Sequence, residues 1–316
     1  MPASGEHGAR WWPWLKRGLT LGFFACIVAL LVQRGRNMDW AQVGQSLLQY
    51  TAPTLATAGL LAMLSYALYA SFDLIGRRYS RHRLSHRAVL STALVSYAFN
   101  LNMGALVGGV GFRYRLYSRY GLSTSSITRV LGMSMIGNWI GYALLAGGVL
   151  ASGALALPEQ ARYGDELLRV LGLLLFSLAP AYLALCAFST RREWTVRGAS
   201  IALPHGRMAL LQLAVSTANW LVIAAIPYVL LESRIDYPLV LGALLLGAIA
   251  GVVTHVPAGI GVLEAVFLTV LKGQVDQAPL LAALLAYRAL YYLLPLLIAV
   301  VAYLAIEARL HRPAEA

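Results

Sequence analysis

The feature that most constrains this chain is an apolar run from Pro238 to Leu271, interrupted by Thr254-His-Val-Pro-Ala-Gly-Ile-Gly-Val-Leu-Glu264. The run exceeds the roughly 20 residues that one membrane span needs. Pro257 has no amide donor, and Gly259 and Gly261 each cost about 1 kcal/mol relative to alanine inside a helix, so the helix is expected to break here. His255 and Glu264 bracket the break. Ionisable groups and irregular backbone are both costly in hydrocarbon unless protein covers them or they line a cavity. The stretch therefore reads as the tip of a re-entrant hairpin at a working site.

Composition extends this reading to the whole chain. It is 59% hydrophobic and 12% charged, with a mean hydropathy of +0.68, which excludes an ordinary soluble domain. An all-α polytopic membrane protein is expected, a single integral-membrane domain over 1–316. The net charge is +12. Its arginines lie between apolar runs, so the expected partners are membrane phospholipids with anionic headgroups, and no nucleic acid. Cys26 and Cys186 sit within apolar runs without metal or redox spacing and read as small buried hydrophobes. Trp11, Trp12, Trp14, Lys16 and Arg17 flank the first run as they would an uncleaved first span.

Apolar runs fall at roughly 18–33, 54–75, 88–110, 128–151, 167–188, 208–231, 238–271 and 279–306. Eight single crossings would divide the basic residues almost evenly between the two faces, against the positive-inside rule. If the third and seventh runs instead enter and leave by the same face, most of the 25 basic residues fall on one side. The expected architecture is about six full spans plus two oppositely oriented re-entrant hairpins. They form an inverted repeat with halves 1–160 and 161–316 and hairpins near 88–121 and 238–272. Both termini are then cytoplasmic, as are the linkers Gly76 to Arg87, with five arginines and no acid, and Thr190 to Arg207. Ala151 to Glu166 is external. The third run has its own break at Asn102 to Arg113, where Gly109-Val-Gly111 matches Gly259-Ile-Gly261 in position. Inverted repeats with helices broken at mid-depth are the architecture of many secondary transporters. Pro180, Pro227 and Pro295, inside spans, are expected to mark kinks.

Glu264 falls in the first turn of the half-helix after Gly261, where the positive helix end favours a carboxylate. It reads either as a cap for orphan amides, as a charge that meets substrate, or as a proton site. Arg288 is too deep in the last span to snorkel and is expected to pair with Glu264. His255 either carries a proton or completes the hydrogen bonds of the turn. Arg113 and Arg115, just beyond the first glycine turn, read either as interfacial anchors or as contacts to lipid phosphate or substrate, which a guanidinium suits because it donates two parallel bonds. Arg119 reads as an interfacial anchor. Asn100, Asn102, Asn138 and Asn219 are expected to bond between helices, and Asn102, at the first break, is also grouped with the substrate-facing residues. Asp73 reads as a surface pair with Arg77 and Arg78. No metal and no cofactor are expected. The sequence has no Walker loop, nucleophile elbow or His-Glu-x-x-His, which disfavours an enzyme.

Val256-Pro-Ala-Gly-Ile-Gly-Val-Leu-Glu264, followed by Tyr287-Arg288, resembles the YbhN-like family, whose members are similar to the integral-membrane region of lysylphosphatidylglycerol synthase. The likeness extends over most of the chain. In the synthase that region is implicated in moving aminoacylated phosphatidylglycerol across the bilayer. The resemblance thus implies a flippase-like translocator of anionic or aminoacylated phospholipid in a bacterial inner membrane. It carries over Pro257, Gly259, Gly261, Glu264 and Arg288 as site positions. Relatives often have a Pro-Gly turn in the first hairpin, whereas here Met103-Gly104 precedes Gly108-Gly109 without a proline. No soluble aminoacyl-transfer domain is recognised, so the chain is not expected to make a lysyl-lipid itself. Two alternatives stay open: a non-transporting scaffold of a lipid-synthesis enzyme, and a membrane-embedded lipid-modifying transferase.

Overall fold

The computed structural model describes residues 39–154, 162–190, 193–196 and 199–310. The first apolar run, 18–33, and both termini lie outside the described residues. A short surface helix, α1 (Trp40–Leu48), is followed by a long helix, α2 (Ala52–Ser80). Thr51 starts α2 by accepting from the Thr54 amide, and Arg81 ends it in the left-handed conformation. The third run folds as α3 (His86–Met103), a π-helical segment (Ala105–Gly111) and α4 (Phe112–Arg119). Next come α5 (Thr124–Ser152), α6 (Arg162–Phe188), a two-stranded antiparallel ribbon of β1 (Glu193–Val196) and β2 (Ala199–Ala202), and α7 (Gly206–Leu230). The seventh run gives α8 (Tyr237–Thr254), a 3-10 turn (Pro257–Gly259) and α9 (Val262–Val270). Last come α10 (Gln277–Arg288), a π turn (Ala289–Leu293) and α11 (Leu294–Leu310).

The fold is all-α and polytopic. Six helical stretches among the described residues are long and apolar enough to cross a membrane: α2, α5, α6, α7, α8 and the continuous Gln277–Arg309 stretch. The principal core joins α2, α3, α5, α7, α8, α9, α10 and the π turn. Leucines and valines on α6 and α11 remain outward, as lipid-facing helices require.

Both broken runs fold back on themselves. Phe112, after the first break, stacks on Phe99 before it, with ring centroids 3.9 Å apart. Gly108 lies so close to α3 that a Cβ there would stand 2.2 Å from the Phe99 carbonyl carbon, a separation only glycine permits. In the second hairpin, Leu263 of α9 returns against Gly247 of α8. The two hairpins share proportions: first arms of 18 residues each, α3 and α8, and return arms of 8 and 9, α4 and α9. The tip of the second hairpin packs on α3.

Candidate functional site

The second break is built by four residues with left-handed backbone. His255 caps α8 in the left-handed conformation, Ala258 and Gly259 are also left-handed at φ 55° and 57°, and Gly261 stands at φ 77° before α9. A residue with a side chain at Gly261 would incur left-handed strain, which explains the second glycine of the motif. Glu264 reaches back one turn, and its Oε2 accepts from the Gly261 amide at 2.8 Å. That bond satisfies one of the orphan donors at the start of α9.

Arg288 closes the site from α10. Its Nε donates to Glu264 Oε1, and its Nη2 donates to Glu264 Oε2 at 3.0 Å. Nη1 donates to the Ala258 carbonyl and Nη2 to the Gly259 carbonyl, each at 3.0 Å. The guanidinium also lies 5.3 Å from the centre of the Tyr292 ring. Arg288 and Glu264 are therefore the expected pair, and they are more than that: the arginine laces the tip carbonyls to the capping carboxylate. Their side chains keep 13% and 16% of their exposure, so the pair is sheltered but not sealed. His255 is exposed beside it, with Nδ1 2.9 Å from the Val253 carbonyl.

The helix carrying Arg288 loosens immediately after it. In the π turn the Leu294 amide bonds the Ala289 carbonyl. Pro295 lacks the N–H that would otherwise bond the Tyr291 carbonyl. The Tyr66 hydroxyl from α2 donates to that oxygen instead, at 3.2 Å. Asn102, the last polar residue before the first break, donates to the Tyr292 carbonyl at 3.2 Å and to Ala98 at 2.8 Å. Asn102 thus joins the first hairpin to the element that bears Arg288. Behind it, the Tyr97 and Tyr291 hydroxyls lie 2.7 Å apart, Tyr291 bonds Ser65 at 2.8 Å, and Ser65 donates to Asn219 at 2.7 Å. This buried polar chain includes the interhelical bond expected of Asn219.

The first hairpin corrects two expectations. Asp73 is not on the surface: it is fully buried, and its partner is Arg113, 2% exposed. Arg113 donates to Asp73 through Nε and Nη2, each at 3.0 Å, and through Nη1 to the Gly109 carbonyl at 3.2 Å. Tyr117, one turn further on, donates to Asp73 at 2.8 Å, and Tyr69 lies under the guanidinium. Arg77 turns away to the Leu84 carbonyl and His86, which leaves Asp73 to the arriving hairpin. Arg113 is thereby spent inside the protein rather than presented to a phosphate. Arg115, two residues on, is 56% exposed and bonds Glu307 of α11 through Nε at 2.7 Å. Arg119 and Tyr303 also bond Glu307, at 3.3 and 3.0 Å.

The two breaks are tied by one device with its partners exchanged. In each, an arginine grips a carboxylate and a carbonyl of the hairpin. In the first, arginine is on the return arm and the acid on α2; in the second, the acid is on the return arm and arginine on α10. Beside the first tie, His82 packs near Tyr117, and burial together with Arg77 holds its imidazole below the usual histidine range, against the opposing pull of Asp73.

Residues 11–299 match the family model described as the lysylphosphatidylglycerol synthase TM region. The chain is 43% identical to the inner membrane protein YbhN of Escherichia coli over 299 residues, 94% of each chain. It is 27% identical to the uncharacterized protein slr0712 of Synechocystis over 263 residues, 82% of this chain and 81% of that one. Over 218 residues, 66% of this chain, it is 26% identical to the phosphatidylglycerol lysyltransferase of Staphylococcus haemolyticus, of which the match covers 24%.

Proposed function

The chain belongs to the lysylphosphatidylglycerol synthase TM-region family, and from that premise we propose that it translocates an anionic or aminoacylated phospholipid across the bilayer without chemically altering it. The two hairpins are re-entrant, enter from opposite faces as an inverted repeat, and meet at mid-depth. The observation that carries the reading is the sheltered, incompletely buried Glu264–Arg288 pair at the second break, joined through Asn102 and the Tyr292 carbonyl to the first. Irregular backbone and charge at such a place are sustained where protein covers them or where they line a polar cavity, and the exposure that the pair keeps favours the second. The lipid tails stay in the bilayer while the headgroup passes this site. There Glu264 and the adjacent His255 meet a cationic aminoacyl group or set proton dependence. Arg288 offers its remaining Nη1 hydrogen to a headgroup oxygen. Pro257, Gly259 and Gly261 fix the break, and Arg113 holds the first hairpin on α2. A relative named as acting on phosphatidylglycerol supports that lipid as the first substrate to test.

The test uses the full chain in liposomes containing fluorescent phosphatidylglycerol quenched from outside by dithionite. Complete quenching within minutes is expected, against loss of only the outer half in empty vesicles. Quenching indistinguishable from empty vesicles, with and without a pH gradient or potential, refutes the reading for that lipid.

A further inference from the structure

Between Asp73 and Glu159 the sequence contains nine arginines and no acidic residue. The fold gathers them at one end of the bundle. The end of α2, the following corner, α4 and the start of α5 share a small core of Val89, Tyr117, Ile127, Val130 and Leu131. Arg77 is tied inward to the Leu84 carbonyl, and Arg113 to Asp73. Arg78, Arg81, Arg83 and Arg87 are exposed at the corner. A field of one sign at this end attracts anions.

Within that field Arg115 is distinctive. Its Nε is fixed on Glu307 and its guanidinium lies 5.8 Å from the centre of the Tyr303 ring, yet the side chain stays 56% exposed. A guanidinium restrained at one edge and open at the other is a preorganised fork for two oxygens of one phosphate. The surroundings specify what carries that phosphate. On α11, one and two turns from Glu307 towards the π turn, Leu304 and Val301 are 60% and 69% exposed, and on the hairpin side Val107 is also exposed. An apolar track beside a phosphate fork suits acyl chains, not the surface of an acidic protein.

We propose that Arg115, oriented by Glu307 and Tyr303, docks the phosphodiester of an anionic glycerophospholipid at the mouth of the first hairpin, with the acyl chains along the exposed face of α11. The assignment rests on the reading that this chain handles anionic phospholipid, but not on its moving that lipid across the membrane. It is distinct from the Glu264–Arg288 site, and the two are separable by experiment.

The experiment is native mass spectrometry of the detergent-purified full chain titrated with phosphatidylglycerol. Arg115→Gln is compared with Arg115→Lys and with Arg234→Gln at the opposite end of the bundle. A basic group at a lipid surface contributes enough that losing the fork is expected to weaken binding about tenfold. Arg115→Lys keeps the charge but has no planar fork and is expected to recover little. Arg234→Gln is expected to bind as the wild type does. Wild-type binding by Arg115→Gln overturns the proposal, including where an acidic protein co-purifies through Arg115. Full recovery by lysine overturns the fork in favour of diffuse positive charge. Equal competition by soluble glycerol phosphate overturns the lipid in favour of a free phosphate ester. If Glu264→Gln stops translocation while Arg115→Gln binds normally, this inference alone fails. If Arg115→Gln loses binding while the wild type moves no lipid, the proposed function alone fails.

Discussion

Replacing Asp73 by Asn is the sharpest test of how the first hairpin is held. The carboxylate accepts Arg113 Nε and Nη2 at 3.0 Å each and the Tyr117 hydroxyl at 2.8 Å. Asparagine keeps one acceptor and turns amide hydrogens towards the other donors. Arg113 is then left as a buried cation with the Gly109 carbonyl and the Tyr69 ring as its remaining partners. Breaking a buried pair from one side costs about 3–5 kcal/mol, mostly for the stranded charge. In a chain of this size that corresponds to a fall of roughly 5–10 °C in apparent melting temperature. The assay is fluorescence-detected thermal unfolding in detergent at a fixed scan rate, since such proteins unfold irreversibly. The exposed Arg234–Glu232 pair is the control: Glu232→Gln is expected to move the transition by little, because exposed pairs contribute about 0–1 kcal/mol. Asp73→Leu with Arg113→Met removes both charges and is expected to recover much of the loss. The reasoning is refuted if Asp73→Asn melts within about 1 °C of the wild type, or if the double substitution is worse than the single one.

Gly108→Ala places a Cβ 2.2 Å from Phe99 backbone and is expected to abolish monodisperse expression, whereas Gly132→Ala, with open space around it, is expected to be tolerated; size-exclusion profiles decide. Tyr66→Phe leaves the Tyr291 carbonyl unsatisfied at a cost of about 1–3 kcal/mol. Adding Pro295→Ala supplies an amide there, so the double variant is expected to melt above Tyr66→Phe alone. His82 is held below its usual pKa by burial and Arg77, so the unfolded chain takes up this proton first. Stability is therefore expected to fall as pH drops below about 6.5, and the His82→Gln variant to lose that part of the decline in melts at pH 7.5 and 5.5.

The second hairpin was legible because its signals are local. Pro257, Gly259 and Gly261 cannot continue a helix, and Glu264 three residues after Gly261 is a cap by spacing alone. Arg288 points to it because a cation within an apolar span requires an anion, and the two do bond. The first hairpin was legible as a break but not in its chemistry. Asp73 sits four residues before Arg77, a spacing that suggests a helix-surface pair. Only the return of α4 onto α2 brings Arg113 and Tyr117 to it. The Glu307 pair is hidden for the same reason, because nothing near Glu307 in sequence points to Arg115. The π turn was half visible: Pro295 marks a kink, but the Tyr66 and Asn102 groups that satisfy the freed carbonyls come from other helices.

The account stands most directly on the rate at which fluorescent phosphatidylglycerol becomes accessible to dithionite in liposomes holding Glu264→Gln, relative to the wild type at equal protein content. Glutamine keeps a capping acceptor for Gly261 but removes the charge that Arg288 grips, the charge proposed to meet the headgroup. A folded variant at least about tenfold slower is the expected result, a loss of some 1.4 kcal/mol at the barrier. A folded Glu264→Gln protein that moves the lipid as fast as the wild type would place the passage elsewhere and contradict the assignment of the broken helix as its centre.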